Sequence, residues 1–320
     1  MKRWLVCLGE ILVDFLPLER DGTITGFSLH PGGGPFNVAV GLARMGVPTA
    51  FVSKVGNDYF GRRLRSHVRA EGINDRWLAS VEAPTTLAFV TIEDGEPAFT
   101  FYGDAAADTL LTPADITPDL VEATALLHFG GISLLRGTTP SAALAAALGL
   151  RGKALVSLDI NVRPRLITDE ASYRATVAQA VAACDLLKLS AADIAWLAPA
   201  TNPLVYARAQ LEAGPCVVAV TRGGEGVTAL RRQGDRIEQL DVPGFKVQVA
   251  DTVGAGDTFS AGLLAALADT DALSRDALTQ MPSASLVEAL RRGAAAAALA
   301  CSRPGANPPN RAELEAFLCT

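Results

Sequence analysis

Six short runs rich in valine, leucine and isoleucine recur along the chain, each ending in glycine, polar or charged residues: WLVCLG at 4–9, TAFVSKVG at 49–56, ALLHFGG at 125–131, ALVSLDIN at 154–161, DLLKLS at 185–190 and CVVAVTRGG at 216–224. Longer, alanine-rich stretches of helical spacing lie between them. Strands buried on both faces read as continuous apolar runs, and helical crossovers make such strands parallel. The alternation therefore predicts an α/β domain over 1–320, with a central, mostly parallel sheet covered by helices on both faces. Ligands of such sheets bind beyond the carboxyl ends of the strands, so Asp159, Asn161, Lys188 and Thr221 are candidates from position alone. Two segments break the pattern, EILVDFLPLERDGTITGFSLHPG at 10–32 and TTLAFVTIEDGEPAFTFYGD at 85–104. Their period-two alternation around Asp21-Gly22 and Asp94-Gly95 predicts antiparallel hairpins with one wetted face, forming a small β lid over the site.

Several function classes are excluded by composition. A net charge of −6 and a pI near 5.2 argue against nucleic acid or an anionic membrane as principal partner, because both recruit basic surface. The five cysteines contain no C-x-x-C pair and the three histidines lie far apart, so neither a disulfide framework nor a structural zinc is expected. In the opening MKRWLVCLGEILVDF, Glu10 and Asp14 interrupt the apolar run before a signal-peptide core is complete. It reads as the first buried strand of a cytoplasmic protein.

Two glycine-rich turns carry the chemistry. In PGGGPFNVAVGLARMG (31–46), three glycines precede Pro35 at a first helical position, and Asn37 offers an amide donor and acceptor in the first turn. Alone, this reads first as a tight turn ahead of a helix. In FKVQVADTVGAGDTFSAGLL (245–264), strand-like alternation runs through Gly254-Ala255-Gly256 into helical spacing. Backbone N–H groups at that helix start form an anion site, and Asp257 in the same turn can accept the proton of an attacking hydroxyl. The competing reading is Asp257 as a helix cap, but a cap leaves both glycines unexplained. The chain has no G-x-x-x-x-G-K-[S/T], no G-x-G-x-x-G after its first strand and no G-x-S-x-G elbow.

With GEILVDF, GGGPFNVAVGLARMG, PTTLAFV, HFGGISL, DINVRPRL, KLSAADIAWL, TRGGEG and DTVGAGDTFSAGLL in this order, the chain resembles the ribokinase-like (PfkB) carbohydrate kinases, most closely the fructokinase branch. The resemblance runs from residue 9 to ACSRPGA at 300–306. It implies that Asp14, Gly33, Gly34 and Asn37 hold sugar hydroxyls, that Tyr102 reaches in from the lid, and that Asp257 deprotonates a primary hydroxyl. The amides of Gly254, Ala255 and Gly256 would then hold the transferring phosphoryl group. Thr221, Gly223 and Gly226 would line the nucleotide cleft, with Lys188 and Arg163 near the phosphates. ATP, Mg2+ and a monovalent cation such as K+ are implied, the last held by Asp251 and the carbonyls of Val253 and Gly305. A homodimer through the lid sheets is implied as well.

Three positions depart from the family. Gly103 stands where a lid arginine is usual, Asp193 (in Ser190-Ala191-Ala192-Asp193) replaces a magnesium-linked glutamate and, one methylene shorter, would meet the metal through water, and Ala294 replaces a nucleotide-contacting asparagine. The resulting expectation is an ATP-dependent sugar kinase, best matched to fructose. The alternatives are 2-keto-3-deoxygluconate or another sugar as substrate, and a non-catalytic sugar or nucleotide sensor.

Overall fold

The structure is a computed structural model that describes residues 4–93 and 96–319; the expected Asp94-Gly95 turn lies outside them. All six apolar runs are strands of one sheet: β1 (Trp4–Leu8), β4 (Thr49–Gly56), β8 (Thr124–Gly130), β9 (Leu155–Asp159), β10 (Leu186–Ser190) and β11 (Val217–Thr221). Three further strands complete it: β5 (Leu78–Val81), β12 (Val227–Gln233) and β13 (Arg236–Val242). The order is β13-β12-β11-β10-β9-β8-β1-β4-β5, parallel throughout except for the β11–β12 and β12–β13 pairs. Because β1 lies between β8 and β4, the chain winds outward in both directions from it, which opens a crevice at the strand ends there. Helices cover both faces, and the core accordingly divides into two large apolar clusters.

The β12–β13 hairpin was not foreseen from the sequence. Its charges hide it: Arg231 is wholly buried, yet its guanidinium is satisfied by Glu238, Ser283 and the Met281 carbonyl. A buried arginine is tolerated only with such pairing; Glu238 supplies the charge from within the hairpin, and Met281 and Ser283 complete it from 50 and 52 residues away.

A second sheet of four strands has the order β3-β2-β6-β7, from β2 (Leu12–Arg20), β3 (Thr23–Gly32), β6 (Leu87–Glu93) and β7 (Glu96–Tyr102). These are the two alternating segments of the sequence. Pairing sets Asp14 opposite His30 and Phe15 opposite Leu29 and Phe89, so one face carries Leu12, Asp14 and Phe101 and the other carries Phe15, Phe27, Phe89 and Tyr102. No described helix is long and apolar enough to cross a membrane.

Two helix starts shape the site. The helix Gly34–Arg44 begins after Gly33 at φ 117 with Pro35 in its first turn, and the helix Ala255–Asp269 begins after Gly254 in the left-handed region at φ 72. The second helix lies against Gly34–Arg44 and against the long helix Ser283–Cys301. Small residues permit that closeness: a Cβ on Gly262 would come within 2.9 Å of the Arg292 carbonyl oxygen.

Candidate active site

Both glycine turns and the ends of β1, β8 and β9 converge on a cavity of about 90 Å3, lined among others by Asp14, Asn37, Phe101, Asn161, Arg163 and Asp257. Gly33, Gly34 and Gly254 supply bare backbone to its wall. Across the Gly254–Asp257 turn lies a second cavity of about 450 Å3, reached by Thr221, Gly223, Gly226, Ala255 and Gly256. One turn thus partitions two cavities, with Gly254 and Asp257 facing one side and Ala255 and Gly256 the other.

Asp257 sits in the first helical turn with its carboxylate buried. The Asn37 amide donates to its Oδ2 at 2.8 Å, a bond between residues 220 apart in sequence. Burial raises the Asp257 pKa above the ordinary aspartate value, while the Asn37 bond and the Lys188 and Arg163 charges counter the shift. Asp14 is pushed up to about 7, first by burial and then by the Asp257 charge, with Arg163 opposing. Two carboxylates facing one cavity cannot both be fully ionised at low cost, so Asp14 is poised to exchange a proton near neutrality.

Behind the turn, Lys188 donates to Asp159 at 2.9 Å in a pair that solvent barely reaches. Burial pulls Lys188 down, but Asp159, Asp193 and Asp257 outweigh it and keep the ammonium above its usual value. A Cβ on Gly256 would lie 2.9 Å from Lys188 Nζ, so the cation presses on the underside of the turn. The amides of Gly256 and Asp257 make no hydrogen bond among the described residues, whereas Ala255 N closes on the Thr252 carbonyl at 3.2 Å. An anion seated there would therefore meet Gly256 and Asp257 N–H groups at the positive end of a helix.

For three expected site residues, Tyr102, Asp193 and Ala255, the structure differs from the sequence expectation. Tyr102 does not reach into the cavity: it is 62% exposed on the far face of its sheet against Phe89, and Phe101 lines the cavity instead. Strand side chains alternate, so one position in register exchanges the two faces. Lys188 lies beneath the anion turn beside Gly256, and Arg163 lines the smaller cavity with Asp257. Asp193 is held in the capping box of the helix Ala191–Leu197 and does not line the larger cavity: Oδ1 accepts from Val162 N and Oδ2 from Ser190 N and Oγ. Ala255 spends its amide locally, as above.

Asp251 ties two loops, its carboxylate accepting from Val253 N at 3.0 Å and Gly305 N at 2.8 Å. At position 103, the glycine carbonyl accepts from Arg136, and a Cβ would come within 2.8 Å of Thr86 Oγ1 and 3.0 Å of Arg136 Nη2. That space is already filled by another arginine. Ala294 lines the larger cavity.

Glu10 was missed as a site residue. It accepts from Gly34 N at 3.0 Å and Ser133 N at 3.1 Å, which fixes the first glycine turn to the segment after β8; burial pushes its pKa up to about 7. A lone glutamate closing an apolar strand was the available signal. Asp159 and Asn161, singled out only as strand-end residues, take their places beside Lys188 and in the smaller cavity.

The chain's resemblances to known proteins agree with one another. A fructokinase from Rhizobium leguminosarum bv. trifolii is 37% identical over 294 residues, 90% of this chain and 86% of that protein. A crystal structure of fructokinase with bound ATP from Xylella fastidiosa superposes with a TM-score of 0.90 at 28% identity, covering 100% of this chain and 99% of that one. A double-mutant fructokinase from Vibrio cholerae O395 in fructose-, ADP- and potassium-bound form gives 0.85 at 30% identity, covering 99% and 98%. The family model for pfkB family carbohydrate kinases matches residues 2–313, and with that span the chain belongs to the pfkB family of carbohydrate kinases.

Proposed function

We propose that the protein transfers the γ-phosphoryl group of ATP to the primary hydroxyl of fructose, giving fructose 6-phosphate and ADP. The observation that carries this is the turn Gly254–Asp257, with a base facing one cavity and the unspent Gly256 amide at the wall of the other. Fructose suits the smaller cavity, where Asp14, Asn37, Asn161 and Arg163 offer donors and acceptors to a polyol. Fructokinase relatives with bound ATP, or with fructose and ADP, support the pairing of substrates.

In this reading Asp257 accepts the hydroxyl proton as the oxygen attacks phosphorus and the bond to the bridging oxygen of the leaving diphosphate breaks. Asn37 holds the carboxylate in line, while the Gly256 and Asp257 amides and the Lys188 charge stabilise the phosphoryl oxygens. Thr221, Gly223 and Gly226 cradle the nucleotide. Magnesium supplies charge neutralisation on the phosphates; no cluster of three acidic, histidine or cysteine side chains suited to a metal occurs among the described residues, so contacts through phosphate and water fit best. Asp251, holding the 253 and 305 peptides in place, fits a monovalent cation such as K+ at their carbonyls. A cytoplasmic homodimer, joined through the aromatic faces of the small sheets, completes the proposal.

A coupled assay over fructose, ribose and 2-keto-3-deoxygluconate tests it, with Asp257→Asn expected to lower kcat by about 10²–10⁴-fold while sugar and nucleotide still bind. Turnover of another sugar without fructose overturns the substrate; an undiminished rate in the variant overturns the base. Sugar binding by both proteins with no turnover would favour the sensor reading.

A further inference from the structure

The larger cavity has a polar end and an apolar end. Next to the anion turn it is bounded by Thr221, Thr252 and the Ala255–Gly256 backbone. Farther out its walls are Phe245, Val247 and Val249 from the irregular segment 243–249, facing Ala294, Ala297 and Ala298 of the helix Ser283–Cys301. None of these six side chains carries a hydrogen-bonding atom. The three alanines fall three and four residues apart on one helix face, so that wall is smooth by sequence and not by accident of rotamer.

Two of the polar side chains around the cavity, Thr221 and Lys246, are committed or misplaced for reading a base. The Thr221 hydroxyl donates to the Leu189 carbonyl at 3.3 Å, and Lys246 stands exposed at the rim. The Cys301 carbonyl takes the amides of Ala250 and Asp251, which sets that residue beside the anion turn and leaves only a thiol, a weak donor, in the wall. Strong rejection of a ligand analogue arises when a site's buried polar groups are left unpaired. The six apolar side chains have none to strand, and every nucleobase offers them a flat face of similar chemistry.

We infer that this kinase selects its phosphoryl donor by the triphosphate and not by the base, so that ATP, GTP, CTP and UTP all serve. The inference rests on the larger cavity being the nucleotide site. Dissociation constants for the four triphosphates, measured by titration calorimetry with magnesium and without sugar, should agree within about tenfold, and kcat/KM with saturating fructose should agree likewise. Ala297→Asn, at a half-exposed cleft position, adds an amide that can read a base edge and should spread the four constants beyond that range. If the variant does not fold, the wild-type series decides alone. Binding of ATP more than about a hundredfold tighter than the rest overturns the inference while leaving the nucleotide site intact, and would assign base reading to the backbone of 243–249. Absence of binding by all four removes the nucleotide reading itself.

Discussion

Asp14 shows how one residue sets activity against stability. Its carboxyl is pushed up to about 7 in the folded protein by burial and by Asp257, against an ordinary aspartate in the unfolded chain. A folded pKa above the unfolded one means that the native state binds the extra proton, so stability falls as pH rises between about 4 and 7. The penalty is absent below that window and complete above it. Asp14→Asn removes the charge but keeps hydrogen-bonding capacity, so it should stabilise the sugar-free protein by about 1–2 kcal/mol at pH 8, a few degrees in Tm, with no gain at pH 4. Scanning calorimetry at the two pH values checks this, and a variant that melts lower at pH 8 refutes it. The same variant should raise the KM for fructose by at least about tenfold, the worth of a hydrogen bond to a charged acceptor.

At the scale of an element, the decisive feature is the turn into the helix Ala255–Asp269. Gly254 is left-handed at φ 72, and a Cβ there would come within 2.8 Å of Ala306 Cβ. Gly254→Ala therefore adds about 1–2 kcal/mol of backbone strain and pushes on the 304–307 loop. Relief of that strain tilts the Gly256 and Asp257 amides, so kcat should drop by about 10²-fold while Tm changes by only a few degrees. Gly22→Ala is the control: its φ is 74 but nothing lies within 4 Å of the added Cβ, so it should carry the strain without the kinetic loss. Equal kinetic losses in both variants would detach activity from the shape of the turn.

For the whole molecule, the open question is what covers the outer face of the small sheet. Phe15 stacks on Phe89 at 4.5 Å between centroids, with Phe27 and Tyr102 set edge-on to Phe89, and these rings are only partly buried within one chain. Aromatic patches of this kind are apt to be buried in an interface. Phe27→Glu places a charge on that patch and should shift the mass in sedimentation from twice the 33.3 kDa chain to the single chain. A wild type that sediments as a single chain overturns the dimer.

The layered sheet, the two alternating segments and the two glycine turns are legible from local pattern alone, because strand and helix periods and the backbone demands of glycine act over a few residues. Strand endings also mark Asp159, Asn161, Lys188 and Thr221 as candidates. The remaining features come from long-range packing. Phe101, not Tyr102, faces the cavity because register is fixed by pairing with β6. Lys188 is held behind the turn because Asp159 meets it there, and Asp193 is spent on a cap and on Val162. Glu10 meets Ser133 from 123 residues away, and Arg231 of the β12–β13 hairpin meets the Met281 carbonyl from 50 residues away, besides partners nearer in sequence. Each of these is a contact between distant segments, whose energy appears only when the chain has returned to the same place, and a pattern read over ten residues carries no trace of it.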